Sequence, residues 1–187
     1  MQSSKLLGAL FESVDEGRRL CVLHIGQARP DTVAFFSRYR CKLHFVDIFA
    51  ELPIVADESS DDAAPLFFSR LMAFPADTRF DICLFWDIFN YLRRDEITAF
   101  IDTLRPFLHT RTLAHGFALH NVRTPQHDAA YGISAPDTLS VRQRDTRLPG
   151  YSPHPQSRLK SLLRCFHFDR CVLLADSRLE LLLSARL

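Results

Sequence analysis

LCVLHIG at residues 20–26 is a short apolar run that ends in glycine, and KLHFVD at 42–47 is a second run that ends in aspartate. A strand, a glycine turn, a helix and a second strand closed by an acid form the front half of a nucleotide-binding α/β unit. Such an acid binds ribose hydroxyls, and the glycines let the backbone approach the ligand. The turn at 26–30, GQARP, has a single glycine. The stretch therefore predicts a fold and leaves open whether the site still binds a ligand.

Length and composition are those of an ordinary globular domain. The chain has 187 residues, of which 47% are hydrophobic and 24% are charged. No apolar run approaches the roughly 20 residues that span a bilayer, and Glu12, Asp15 and Glu16 interrupt the start where a signal peptide would have its apolar core. We expect a cytoplasmic protein without membrane contact. The net charge of +1 predicts no general affinity for nucleic acid.

Cysteine and histidine spacing argues against a metal site. The five cysteines are an odd number without CxxC spacing, so buried reduced thiols are expected. The eight histidines form no HxH or HExxH pair. His115 and His120 flank a predicted strand end and are the one metal-site alternative that the sequence offers.

Hydrophobic periodicity predicts alternating helices and strands. The acidic, proline-containing segment 51–64 is read as a solvated loop, and the break at 176–178 is read as the turn of a hairpin. The predicted fold is α/β, an open and mostly parallel sheet with helices on both faces and a C-terminal antiparallel hairpin. The predicted helices are 3–17, 31–39, 65–73, 94–105 and 156–166, and the predicted strands are Leu20–Ile25, Cys41–Ile48, Phe80–Trp86, Thr112–Leu119, Phe168–Ala175 and Leu179–Ala185.

Residues 121–155 differ from the rest of the chain. They hold five of the ten prolines and lack strong periodicity, which is typical of a functional lid. We interpret residues 1–187 as one domain with 121–155 as a cap or insertion. In such a cap His127, Tyr131 and His154 are candidates for a general base or a substrate contact; the alternative is that they are exposed loop residues.

Positive charge is concentrated in the C-terminal third, where almost all of it is arginine. Arginine favours bidentate contacts with carboxylate or phosphate, although biased genome composition gives the same pattern. An unknown protein partner or substrate that is acidic or phosphorylated is therefore a hypothesis. It rests on the arginines at 142, 144, 147 and 158.

Four segments together resemble the class I S-adenosylmethionine-dependent methyltransferases. Residues 20–26 resemble that family's first strand and glycine loop, and Asp47 matches the acid that closes its second strand. FDICLFWDIFNYL at 80–92 resembles the fourth-strand region. Residues 156–187 resemble the terminal helix and reversed hairpin, which ordinary dinucleotide dehydrogenases lack.

The resemblance implies a cofactor, S-adenosylmethionine, and roles for particular residues. Gly26, Gln27 and Ala28 would pass under its methionine moiety. Asp47 would accept hydrogen bonds from the ribose hydroxyls, and Ile48 would pack on the adenine. Asp47 as an acid that merely ends a strand is the competing interpretation.

The resemblance also places Trp86 and Asp87 at the border of the methyl-transfer cleft, at the carboxyl ends of the strands. Three positions depart from the family's pattern. His24 stands where an acid usually holds the cofactor's amino group, while Ala28 and Pro30 replace later glycines of the loop. Alanine narrows the approach of the backbone, and proline removes an N–H donor.

Two functions follow from these observations. The first is a methyltransferase that transfers a methyl group from S-adenosylmethionine to an unidentified substrate, a reaction that depends mainly on positioning and needs few dedicated catalytic residues. The second is a non-catalytic methyltransferase-fold module that has lost cofactor binding and serves in interactions or as a scaffold. The absence of an evident third strand between 50 and 75 favours the second. A dinucleotide-dependent oxidoreductase would need a fuller glycine turn.

Overall fold

The computed structural model describes residues 1–12, 14, 17–54 and 63–187, so the whole acidic run at 57–62 lies outside the described residues. Short 3₁₀ turns at Ile48–Glu51, Ile88–Asn90 and Arg105–Phe107 connect several of the elements. The helices are α1 (Leu7–Glu12), α2 (Pro30–Phe36), α3 (Ala63–Leu71), α4 (Arg94–Leu104) and α5 (Gln156–Leu162). The strands are β1 (Gln2–Ser3), β2 (Leu20–Ile25), β3 (Cys41–Val46), β4 (Phe80–Trp86), β5 (Leu108–Leu119), β6 (Ala129–Ala135), β7 (Thr138–Gln143), β8 (Phe166–Leu173) and β9 (Arg178–Ala185).

The main sheet has six strands in the order β3-β2-β4-β5-β9-β8. The first four run parallel, and β9 is antiparallel to both of its neighbours. This arrangement confirms the predicted open sheet with a C-terminal antiparallel hairpin. The chain reverses between β8 and β9 at Ser177, which has a φ of 67°.

Apolar side chains on both faces fix β2 and β4 at the centre of the sheet. Val22 and Leu23 point to opposite faces and are both fully buried. Helices cover the two faces, and aromatic rings fill the space beneath them. One cluster joins α1 to α2, and the other joins α3 and α4 to β4 and β8. Their members are Phe11, Phe35, Phe36 and Tyr39 in the first and Phe68, Phe85, Phe89, Phe100 and Phe166 in the second.

Periodicity predicted no strand within 121–155, but the structure has two there. Strands β6 and β7 form an antiparallel hairpin, and β1 pairs with β7 to make a three-stranded sheet in the order β1-β7-β6. Tyr131, Ile133 and Leu139 are its buried residues with large side chains. Small residues such as Gly132 separate them, which weakens the apolar alternation on which a strand prediction depends.

The long helix predicted at 3–17 is shorter in the structure. Gln2 and Ser3 pair with Leu139 and Thr138 of β7, so the chain is extended there and α1 begins only at Leu7. A local pattern does not show this pairing because the partner strand lies far away in sequence. In the described part of the chain, no helix is long and apolar enough to cross a membrane.

Candidate functional site

The carboxyl ends of β2, β3 and β4 meet at one edge of the sheet, where open α/β sheets bind ligands. Gly26 follows β2 and has a φ of 118°, a left-handed conformation that favours glycine. Its N–H donates to the carbonyl of Val46 at 2.7 Å. Asp47 follows β3, and Asp87 follows β4. The fold therefore brings the sequence-predicted glycine and both aspartates to the same edge.

A histidine and the single tryptophan of the chain form the floor of this edge. Trp86 Nε1 donates to His24 Nε2 at 3.2 Å, and each residue is only 1% exposed. Burial lowers the pKa of His24 to about 4, so the imidazole is neutral near pH 7. Trp86 has a φ of 52°, a conformation that is costly for a bulky residue. A neutral imidazole already paired with an indole N–H offers no negative charge to an ammonium group.

Phe49 closes the space next to the glycine turn. A Cβ added to Gly26 would lie 3.6 Å from Phe49 Cδ2, so the ring packs directly on the turn. The guanidinium carbon of Arg144 lies 4.5 Å from the centre of the Phe49 ring. The backbone N–H of Arg144 donates to the Asp128 carbonyl at 2.8 Å, and this hydrogen bond fixes the main chain at Arg144.

Tyr131 of the β6–β7 hairpin covers Trp86. The two rings are stacked, with centroids 5.6 Å apart and planes 16° apart. The Tyr131 hydroxyl accepts a hydrogen bond from Arg178 Nη1 at 2.8 Å. Tyr131 is 3% exposed. The Tyr131 ring therefore contacts other side chains of the protein and is almost inaccessible to solvent.

What remains between these side chains is a cavity of about 30 Å³. Pockets for small molecules and cofactors have volumes of roughly 300–1,000 Å³, whereas this cavity has room for about two water molecules. It is lined by His24, Ile25, Gly26, Gln27, Arg29, Phe49, Trp86, Ala130, Tyr131 and Arg144.

The two aspartates at this edge carry oxygens without partners. Asp87 is 4% exposed, and its Oδ1 has no hydrogen-bond partner among the described residues. Burial raises the pKa of Asp87 to about 7, although Arg144 and Arg178 oppose the shift. Asp47 also has a buried Oδ1 without a partner in the described part of the chain. An unpaired buried acceptor is unusual, and such atoms are typical of functional sites or of unseen water.

The remaining candidates from the sequence lie in different surroundings. Ile48 is fully buried, whereas Gln27 and Ala28 lie on the exposed side of the turn. His127 is exposed. His154 is buried, and its Nε2–H donates to the Leu92 carbonyl at 2.8 Å.

The two histidines considered for a metal site do not share ligands. His115 is fully buried and hydrogen-bonds Glu180 through Nε2 at 2.8 Å, whereas His120 is exposed. Among the described residues, no group of three or more histidine, cysteine, aspartate or glutamate side chains is placed to hold a metal ion. The His115–Glu180 pair instead joins the N-terminal segment, because the hydroxyl of Ser4 donates to the same carboxylate.

Sequence reasoning missed that Arg144 reaches the cleft. Phe49 follows Asp47 by two residues and could be named from the sequence, with Arg29 and the acidic loop, as a candidate to fill the space above Gly26; the structure places its ring there. Arg144 was considered only as one of several arginines for an acidic partner. The signal that points to its hairpin is the Pro136-Asp137 turn between the apolar residues of β6 and β7.

Comparison with known proteins identifies the fold. No protein-family model and no curated protein sequence matches the chain. Among solved structures, an S-adenosylmethionine-dependent methyltransferase from Clostridium acetobutylicum has a TM-score of 0.53 at 12% identity, over 99% of this chain and 93% of that one. The N-methyltransferase NodS from Bradyrhizobium japonicum has a TM-score of 0.51 at 13% identity, over 97% of this chain and 94% of NodS.

A third solved structure is 1,6-didemethyltoxoflavin-N1-methyltransferase from Burkholderia thailandensis, determined with 1,6-didemethyltoxoflavin and S-adenosylhomocysteine bound. It matches with a TM-score of 0.52 at 16% identity, over 97% of this chain and 77% of that chain. The chain therefore has the fold of class I S-adenosylmethionine-dependent methyltransferases. At these identities the similarity concerns the fold, since one fold hosts many functions.

Proposed function

We propose that this chain is a methyltransferase-like protein that does not bind S-adenosylmethionine in the described conformation and acts as a non-catalytic interaction module. The observation that carries the proposal is the cleft at the carboxyl ends of β2, β3 and β4, where the described residues leave a cavity of about 30 Å³ beside the glycine turn. Side chains of the chain itself, above all Phe49, Tyr131 and Arg144, occupy the remaining space. A nucleoside cofactor needs a pocket about ten times larger.

The residues present do not fit the cofactor that the fold implies. At the end of β2, His24 is neutral and already accepts a hydrogen bond from Trp86, so it cannot balance an ammonium. Pro30 at the start of α2 has no N–H to donate to a carboxylate. Asp47, with one buried oxygen unpaired, is the residue that retains the expected chemistry.

A second candidate is an S-adenosylmethionine-dependent methyltransferase whose cleft opens for the cofactor. The unpaired buried oxygens of Asp47 and Asp87 favour it, because acceptors of this kind are usually satisfied by a ligand or water. This candidate requires that Tyr131 and Arg144 leave their present contacts.

Thermal unfolding with and without S-adenosylhomocysteine separates the two candidates. A ligand present at one hundred times its Kd stabilises the folded state by about 2.7 kcal/mol, which raises the Tm of a chain of this size by about 5–10 °C. The proposal expects no rise at millimolar ligand. A rise that is lost in Asp47→Ala and kept in Asp77→Ala, an exposed aspartate away from this edge, would establish the second candidate.

A further inference from the structure

We propose that the β6–β7 hairpin is an intramolecular plug, which keeps the cleft shut by placing Tyr131 against Trp86 and Arg144 against Phe49. The inference rests on the proposed function, because a plug is needed only where the cleft of the folded protein is closed. The plug explains why the cleft is closed. The loop substitutions at 24, 28 and 30 would weaken binding in an open cleft, whereas the hairpin removes the space itself.

Arg144 is the part of the plug that packs on Phe49, beside the glycine turn. Its guanidinium carbon is 4.5 Å from the Phe49 ring centre, and Phe49 in turn contacts the position of Gly26. The ring face attracts the cation. The nearby carboxylate of Asp87 adds attraction of opposite charge. The guanidinium of Arg144 is therefore the cation that faces the Phe49 ring and the Asp87 carboxylate.

Tyr131 is the second part of the plug. Its ring lies almost parallel to Trp86 at 5.6 Å, and its hydroxyl is fixed by Arg178, which also pairs with Asp176. Arg178 belongs to β9 of the main sheet. The tyrosine is therefore fixed between two strands of the main sheet, β4 and β9.

The far side of the hairpin is anchored to α2. Gly132 lies so close to the start of α2 that a Cβ added to it would be 2.8 Å from Thr32 Oγ1 and 2.9 Å from Arg29 Nε. The Ile133 N–H donates to Thr32 Oγ1 at 3.1 Å, and Arg29 Nη2 donates to Ser140 Oγ at 3.0 Å. These bonds hold the hairpin over the first turn of α2.

The N-terminus clamps the other strand of the hairpin. β1 pairs with β7 through Gln2 and Leu139, and the Gln2 side-chain carbonyl accepts a hydrogen bond from Arg178. The plug is therefore fixed on both strands, while Arg144 lies just beyond the end of β7. Shortening Arg144 removes material from the cleft and leaves every one of these anchors in place.

Calorimetric titration of the full chain with S-adenosylhomocysteine tests the plug. The test variants are Arg144→Ala and the double variant Phe49→Leu with Arg144→Ala, and the control is Arg142→Ala, an exposed arginine of β7. Circular dichroism and Tm establish that each variant is folded. The expected result is no heat from the wild type or the control at millimolar ligand, and binding by both test variants with a Kd of about 0.1 mM or tighter, at least tenfold below that concentration, which corresponds to about 1.4 kcal/mol.

Each contrary result has one meaning. Folded test variants that give no heat would overturn the plug and leave the proposed function standing. Equal affinity in the wild type and Arg144→Ala would overturn both. Weak binding by the wild type with tenfold tighter binding by Arg144→Ala would support the plug and overturn the proposed function.

Discussion

Replacing Gly132 by alanine tests how closely the β6–β7 hairpin docks on α2. The added Cβ would lie 2.8 Å from Thr32 Oγ1, a buried β-branched side chain that cannot rotate away without losing its bond to the Ile133 N–H. Overpacking of this kind costs about 1–3 kcal/mol, and the lost hydrogen bond costs about 1 kcal/mol. The lower entropy of the unfolded alanine chain returns about 0.4–1 kcal/mol.

We therefore expect Gly132→Ala to lower the free energy of unfolding by about 2 kcal/mol, and the Tm by about 4–8 °C. Urea unfolding followed by circular dichroism measures the change. Gly8→Ala is the matched control, because an added Cβ at this helical position meets nothing within 4 Å and should stabilise the protein by up to about 1 kcal/mol. A Gly132→Ala variant as stable as the wild type would refute the close docking.

Three further substitutions test the buried polar groups. Burial alone would raise the pKa of Glu180, but hydrogen bonds from His115 and the N-terminal segment lower it to about 2, below its ordinary 4.5. The ionised Glu180 therefore adds about 3 kcal/mol to the free energy of unfolding. This stabilisation is complete above pH 4.5 and is lost as the pH falls towards 2. Glu180→Gln should therefore flatten the acid limb of the stability curve. Asp87 affects stability in the opposite direction, because its pKa is raised to about 7 from 3.8. Its carboxyl group does not affect the free energy of unfolding below pH 3.8, and it lowers that free energy progressively as the pH rises to 7, by up to about 4 kcal/mol. Asp87→Asn should remove that slope in urea titrations between pH 4 and 7. His24→Leu leaves the indole N–H of Trp86 without its acceptor and should cost about 1–3 kcal/mol; an unchanged fluorescence spectrum and stability of this single-tryptophan protein would show that the bond is unimportant.

The strands of the main sheet were predictable because their signals are local. Leu20–Ile25 and Phe80–Trp86 are apolar runs that only His24 and Asp81 interrupt, and the structure has them with the same bounds. The strand-end positions Gly26 and Asp47 follow directly from such runs. Helix ends were less accurate; the helix predicted at 31–39 ends at Phe36.

The closed cleft was not predictable because it depends on contacts between distant parts of the chain. Phe49 follows β3, and Arg144 follows β7, and nothing in either local sequence indicates their stacking. The stacking of Tyr131 on Trp86 has the same origin. Long-range packing decides whether a hairpin lies over a sheet edge. Hydrophobic periodicity is a local signal and gives no information about such packing. The sequence did indicate the altered turn, through His24, Ala28 and Pro30.

If the cleft of the wild-type chain is filled by the chain itself, it has no room for the cofactor. Calorimetric titration of the wild-type protein with S-adenosylmethionine and S-adenosylhomocysteine, up to millimolar concentration at neutral pH, measures this directly. Neither compound should give any heat of binding, because the side chains of the closed cleft leave no space for it. Binding with a micromolar Kd that Asp47→Ala weakens would contradict it.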